Sequence, residues 1–347
     1  MTDDHTSPVS GRAPTIRDVA RAAGVSKSLV SLVLRSEPGV SPVNRSTVLR
    51  AIEDLHYEPN RVAGALAGNG TGAVGILLND LRNPWFVDLL DGISKQFEPA
   101  GIAPLLVDSE TNRRVGRSSV RILTRQRVDG IIAVGTSAES ADLTHLPRKT
   151  PVVLAGTYNP DTIGADTVTN DDVAGARQAT QHLLDLGHTR IAFLGGPEHV
   201  GVLRQRGYRD AMTDAGLADN ILVDHAGATE AEGRSSGYRV LRANQRPTGI
   251  VAFNDLVAVG TLAAAHDLGL STPSDISVVG YDDTFIAGIG RVGLTSVQNG
   301  TFDIGTQAAT FLLERIRGFS GPARSHIVPS TLVIRRTTGP RPPSSGR

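Results

Sequence analysis

The sequence predicts an α/β protein: a small three-helix unit at the N-terminus, then a core of two subdomains built as doubly wound parallel sheets. Three observations predict this. Two short helical patterns joined by a glycine-containing turn occupy residues 15–34. From Gly72 onward, short apolar runs alternate with amphipathic stretches of helical length. There are about ten such runs, more than one sheet of ordinary size holds, so two α/β subdomains with a cleft between them fit best.

The first helix begins at Thr15, an N-cap type, with Asp18 three residues on as an acidic capping box. Ile16, Val19, Ala20 and Ala23 make one apolar stripe, and Gly24 suits a left-handed C-cap. Ser26 caps a second helix that turns Val30, Val33 and Leu34 inward and leaves Lys27, Ser28, Ser31 and Leu32 outside. Two short helices across a turn of three to four residues form a helix-turn-helix pattern. A third helix follows, with Ser41 as cap, Pro42 at N1, Val48, Ile52 and Leu55 facing in, and Pro59 as the stop. Residues 12–61 carry eight basic side chains against five acidic ones, whereas the whole chain balances 35 against 35. A local basic excess is the footprint of a phosphate-binding face.

The core pattern predicts strands at 73–78, 102–107, 130–134, 151–155, 191–194, 221–223, 250–253 and 276–279. Helices are expected at 84–98, 113–127, 171–186, 202–215, 231–243 and 255–268. Ligands in open α/β sheets sit beyond the carboxyl ends of strands. Asp80, Asp108, Thr136, Asn254-Asp255 and Asp282-Asp283 mark such ends. Arg204 lies early in the helix after Gly195-Gly196-Pro197.

Composition narrows the function classes. The 347 residues suffice for two or three compact units, and the absence of cysteine excludes disulfides and thiolate metal sites and fits a reducing cytoplasm. No apolar run reaches the ~18–20 residues of a membrane span, and the polar start is unlike a secretory signal. Residues 1–14 and 338–347 read as disordered tails. The nine histidines show no metal-ligand spacing, and no nucleophile elbow is present, so neither an enzyme nor a metal site nor a cofactor is expected. The run Gly68-Asn69-Gly70-Thr71-Gly72 precedes a strand instead of following one, which suits a flexible joint better than a nucleotide loop.

The runs Thr15-Ile16-Arg17-Asp18-Val19-Ala20, Ala23-Gly24-Val25-Ser26, Val30-Ser31 and Val33-Leu34 resemble the lac repressor family. So do Tyr57-Glu58-Pro59-Asn60 with Ala63 and Leu66-Ala67, then Gly187-His188, Phe253-Asn254-Asp255, and Ile276 through Asp283. The resemblance spans roughly residues 15–336. It implies a helix-turn-helix DNA-binding domain at 15–58, a hinge helix and linker at 59–71, and a periplasmic-binding-protein-like core at 72–337. It also implies three crossings between subdomains, near 168–170, 291–294 and 321. The N-subdomain would then hold 72–168 and 294–320, and the C-subdomain 169–293 and 321–337.

The resemblance aligns Lys27, Ser28 and Leu32 with base-reading positions, and Thr15, Ser26, Ser31, Asn60 and Arg61 with positions that set the protein on the DNA backbone. Leu66 and Ala67 align with a minor-groove hinge. Arg204, Asn254, Asp282 and Asn299 fall at effector positions, with Trp85 and Phe86 as the aromatic edge. Guanidinium, amide and carboxylate groups each bridge two hydroxyls, which suits a sugar or sugar phosphate. Gly156-Thr157 stands where the family often has Asp-Arg, Leu29 where Thr is usual, and Asn299 where Gln is common. The implied protein is a cytoplasmic homodimeric regulator, expected to act as a repressor on a pseudo-palindromic operator and to respond to a small effector. Its alternatives are a sugar receptor with no DNA role and a regulator answering to a purine.

Overall fold

The computed structural model describes residues 14–34, 39–57, 71–135, 143, 149–157, 164–196 and 198–342. They divide into two compact units, Met1–Thr71 and Gly72–Arg347.

The first unit contains helices α1 (Ile16–Ala22), α2 (Lys27–Leu34) and α3 (Pro42–Asp54). The Asp18 carboxylate accepts from the Thr15 N–H at 2.9 Å and from its hydroxyl at 2.6 Å, fixing the start of α1. Gly24, at φ +63°, ends it in a Schellman turn. The Val25 N–H reaches the Ala20 carbonyl at 3.0 Å and the Gly24 N–H that of Arg21 at 3.3 Å. Ser26 then caps α2 by accepting from the Leu29 N–H, and Ser41 caps α3 by accepting from Asn44. Val19, Val30 and Val48 are wholly buried and pack with Ala20, Ala23, Val33, Ala51 and Tyr57. Each wholly buried valine contributes about 1.5–3 kcal/mol by leaving water. Pro59 does not stop α3. A second Schellman turn does, with His56 at φ +47°, Tyr57 N–H on the Ile52 carbonyl and His56 N–H on that of Glu53.

The second unit holds two six-stranded sheets. Strands β1 (Ala73–Leu78), β2 (Ala103–Asp108), β3 (Gly130–Val134), β4 (Val152–Ala155) and β5 (Asp166–Asn170) form the first in the order 2-1-3-4-5. Strands β6 (Ile191–Gly195), β7 (Leu222–His225), β8 (Gly249–Ala252), β9 (Ser277–Asp282) and β10 (Thr295–Gln298) repeat that order in the second. At the end of the chain β11 (Ser325–Val328) adds parallel to β5, and β12 (Thr331–Val333) adds antiparallel to β10. Central strands such as β1, β3 and β8 are buried on both faces, which explains their unbroken apolar runs.

Helices cover the faces. In α4 (Trp85–Phe97), Phe86, Leu89, Ile93 and Phe97 form a buried stripe at helical spacing. It packs on α11 (Thr301–Ile316) over the first sheet. Helices α7 (Asp172–Asp185) and α8 (Glu198–Asp214) pack together on the second sheet, as do α9 (Glu230–Leu241) and α10 (Asp255–Asp267).

Several expectations are corrected. The helix expected at 113–127 is two, α5 (Ser109–Arg114) and α6 (Ser119–Arg125). They are split at Gly116, which adopts φ +66°, and the second is restarted by the Ser118 cap. β5 and β10–β12 were not expected as strands. The chain passes between sheets after Asn170, at Asn299–Gly300 and at Pro329–Ser330, because β10 belongs to the second sheet and β11 to the first. Those points replace 291–294 and 321, and they move 294–298 and 321–329 to the opposite subdomains. Residues 338–342 are not a free tail. Arg341 N–H donates to the Leu186 carbonyl, Gly339 meets Ser277 and His188, and Thr338 meets His182.

Candidate functional site

The repeated 2-1-3-4-5 order puts a topological switch point in each sheet, where loops at strand carboxyl ends part and leave a crevice. A small cleft lies at these ends. Asn79, Gly135, Gly156 and Asn170 line it from the first sheet; Phe253, Asp282 and Asn299 line it from the second. Trp85 and Phe86, at the start of α4, and Arg204, in the second turn of α8, complete the walls.

Arg204 is the centre of the site and is 5% exposed. Its Nε donates to Asp172 Oδ1 at 2.8 Å, Nη1 to the Phe253 carbonyl at 2.6 Å, and Nη2 to Asp282 Oδ1 at 3.2 Å. The guanidinium lies 3.7 Å from the Tyr281 ring centroid and 4.9 Å from that of Phe253. Burial pulls the Arg204 pKa down, but the charges of Asp172 and Asp282 more than offset it. Burial raises the Asp282 pKa, with the Arg204 charge opposing.

A polar chain continues to the first sheet. Asn299 Nδ2 donates to Asp282 Oδ1 at 3.0 Å. Asn299 Oδ1 accepts from Trp85 Nε1 at 3.3 Å and from the Thr301 hydroxyl at 2.6 Å. Trp85 and Phe86 meet edge to face, 5.3 Å between centroids. Both belong to the core of the first sheet and also line the cleft.

Asp255 supports this arrangement from behind. Its carboxylate accepts from the Ser296 hydroxyl at 2.5 Å, the Thr284 N–H at 2.7 Å and the Thr284 hydroxyl at 2.9 Å. These bonds hold the turn in which Asp282 and Asp283 take positive φ, +96° and +48°. Burial, then the nearby Asp282 charge, pushes the Asp255 pKa up to about 7.

Of the expected effector residues, Trp85, Phe86, Arg204, Asp282 and Asn299 are brought together. Asn254 is not among the cleft-lining residues. Its Oδ1 caps α10 by accepting from Val257 N–H at 2.8 Å, and its Nδ2 donates to the Ala228 carbonyl. Asp80 and Asp108 do not line the cleft either: Asp80 pairs with Arg82, and Asp108 caps α5. Thr136 lies outside the described residues. Sequence reasoning missed Asn79, Asn83, Asn170, Asp172 and Tyr281; the position of Tyr281 beside Asp282 at the end of β9 was the available signal.

In the first unit, Lys27 and Ser28 are exposed on α2, while Ser31 and Leu32 are half-buried. Leu29 packs onto the small core, so its departure from Thr is absorbed as packing. Thr15 and Ser26 sit at helix starts, where backbone N–H groups favour phosphate. Asn60, Arg61, Leu66 and Ala67 lie outside the described residues. Among the described residues there is no group of three or more side chains arranged to hold a metal, and no helix long and apolar enough to cross a membrane.

A helix-turn-helix unit joined to a two-sheet core, with a polar and aromatic cleft at the strand carboxyl ends, defines a DNA-binding regulator that responds to a small molecule. Residues 15–60 match the bacterial regulatory proteins of the lacI family, and residues 180–338 match the periplasmic binding protein-like domain. The chain is 32% identical over 330 residues to the transcriptional repressor PurR of Photobacterium profundum, covering 93% of this chain and 98% of that one. It is 31% identical over 327 residues to the regulator GalR of Escherichia coli, covering 93% and 95%. Among solved structures, the lac repressor dimer bound to operator and an anti-inducer superposes with a TM-score of 0.80 at 27% identity, covering 94% of this chain and all of that one. The regulator CelR in complex with cellobiose gives 0.69 at 27% identity, covering 93% and 99%. The chain belongs to the lacI family. It is a sequence-specific DNA-binding transcriptional regulator with an effector-binding core, and not an enzyme.

Proposed function

We propose that the chain is a homodimeric repressor of a pseudo-palindromic operator, acting on nucleoid DNA in the cytoplasm, and that an uncharged sugar in the cleft gates its operator affinity. Lys27, Ser28 and Leu32 read base edges, while Thr15, Ser26 and Ser31 set the unit on the phosphates. On the family's pattern, Asn60 and Arg61 assist and Leu66 with Ala67 enters the minor groove. The boundaries of hinge and core follow the same pattern, at 59–71 and 72–337.

The observation that carries the effector reading is the charge balance at Arg204. It is the one cation among the described lining residues, and it is already engaged by Asp172 and Asp282. Among the described lining residues a phosphate would find no unpaired positive charge, and it would meet the buried carboxyl groups of Asp172 and Asp282 beside Arg204. Hydroxyls, in contrast, find the amides of Asn79, Asn170 and Asn299 and the carboxylate of Asp282. A purine is the second reading, favoured by the Trp85, Phe86 and Phe253 rings in the walls and by the PurR relative.

A thermal-shift panel of neutral mono- and disaccharides, sugar phosphates and purine bases tests this. Neutral sugars are expected to stabilise the full chain and to change operator affinity in gel shift. Asp282→Ala should lose the response and keep operator binding. Stabilisation by sugar phosphates or purines alone would overturn the sugar reading.

A further inference from the structure

Gly156 follows β4 and adopts φ +65°, a left-handed conformation that favours glycine. The indole of Trp85 lies directly against it. A Cβ built at residue 156 would stand 2.9 Å from indole Cζ2 and still nearer to Cη2, inside van der Waals contact. The ring is thus held at two points, by its N–H on Asn299 and by its benzo edge over Gly156. Trp85 is 7% exposed, and its packing against Phe86 and the core leaves little room to retreat.

We propose that Gly156 is a specificity-determining residue of the cleft, acting through the position it allows Trp85. This rests on the reading of the cleft as the effector site. With no side chain at 156, the described wall at this corner of the cleft is an aromatic edge, and residue 156 itself supplies no carboxylate or hydroxyl-binding group. The effector therefore turns an apolar ring face or a C–H edge to the β4 side. Its hydroxyls turn toward Asp282 and the asparagines. A side chain at 156 would push the indole off Asn299. Asn299 in turn donates to Asp282 Oδ1, so the change would reach the carboxylate that the ligand uses. Gly135 provides a control for backbone strain alone. It lines the same cleft at φ +70°, and its nearest neighbour is the Asn79 side chain, not an aromatic ring.

Trp85 is the single tryptophan of the chain, so its emission reports this corner directly. In the full-length, ligand-free protein, Gly156→Ala should shift the emission to the red and raise acrylamide quenching about twofold, and Gly135→Ala should do neither. Each compound that stabilises the wild type should bind Gly156→Ala at least tenfold more weakly. In a W85F background the same Gly156 change should lose less than half as much. W85F with Gly156 intact is the second variant, should Gly156→Ala not fold, and it should reorder the panel of sugars and bases that bind. Unchanged emission in Gly156→Ala, or an unchanged ligand ranking in W85F, would overturn the role of Gly156. A wild-type protein answered by no member of the panel would overturn the effector reading and, with it, the specificity role.

Discussion

Arg204 and Asp282 face each other at 3.2 Å in the wall of the cleft, and each is at most 7% exposed. The pair is incomplete by itself. Asp172 holds Nε of the same guanidinium, and the Phe253 carbonyl holds Nη1. Buried charges persist only when paired and hydrogen-bonded, and removal of one partner leaves the others desolvated. Arg204→Leu strands two carboxylates and should destabilise the core by about 3–5 kcal/mol. Asp282→Asn leaves Arg204 with Asp172 and the carbonyl, and should cost less than half of that. Urea unfolding followed by circular dichroism ranks the two; equal losses would contradict the central place of Arg204.

Asp255 gives the core a dependence on pH. Its folded-state pKa is raised from 3.8 to about 7, so the folded protein holds this proton more tightly than the unfolded chain does. The stability it contributes is full below about pH 4 and is lost as pH rises through about 7. Asp166 works in the other direction. Burial would raise its pKa, but Arg315 and Arg324 hold it at about 2, so its contribution is present above about 4 and is lost as pH falls toward 2. Unfolding midpoints between pH 5 and 8 should fall less steeply for Asp255→Asn than for the wild type. Parallel curves would show that Asp255 does not titrate in that window.

The sequence carried the central strands and the long helices clearly, because β1, β3 and β8 are buried on both faces and α4 shows a clean apolar stripe. It did not carry β5, whose Asp166-Thr167-Val168-Thr169-Asn170 is polar. Asp166 is buried through ion pairs instead of apolar contact, and hydrophobic periodicity does not register that. The crossings were misplaced for a related reason: β10 and β11 are four residues each, too short to assign to a sheet from pattern. At the site, Asp282 marked a strand end, and the resemblance to the lac repressor family aligned both Arg204 and Asp282 with effector positions; the structure brings the two together in one cleft. Asn254 occupied an equivalent position and serves as a helix cap, a role its side chain fills equally well. Gly156 was visible only as a departure; its meaning needed the indole beside it.

His56 offers a local test of backbone strain. It occupies the left-handed position of the turn that ends α3, at φ +47°, where a Cβ is unfavourable by roughly 1–2 kcal/mol. His56→Gly should strengthen the first unit by about 0.5–1 kcal/mol, net of the added freedom of the unfolded chain. Native-state hydrogen exchange of α3 amides in the full-length protein reads this; slower exchange is expected, and faster exchange would show that the imidazole makes a compensating contact.

The proposed base reading by α2 rests on which of its side chains are free of the small core. Lys27 and Ser28 project from its first turn, and Leu32 lies one turn further on, half-buried. Val30 and Val33 are committed to the small core, and Leu29 packs beside them, so those three are not free to contact DNA. In a major groove the ammonium of Lys27 suits guanine acceptors, the Ser28 hydroxyl serves as donor or acceptor, and Leu32 fits a thymine methyl. Each good base contact discriminates by about 1–3 kcal/mol. Selection from a random operator pool should therefore return a different half-site for the triple variant Lys27→Ala, Ser28→Ala, Leu32→Ala than for the wild type. Replacing Arg17, exposed on α1, with Ala should instead weaken binding to all sequences alike and flatten its salt dependence. The same half-site from the triple variant would move base reading away from α2, because a phosphate-contacting helix changes affinity without changing preference.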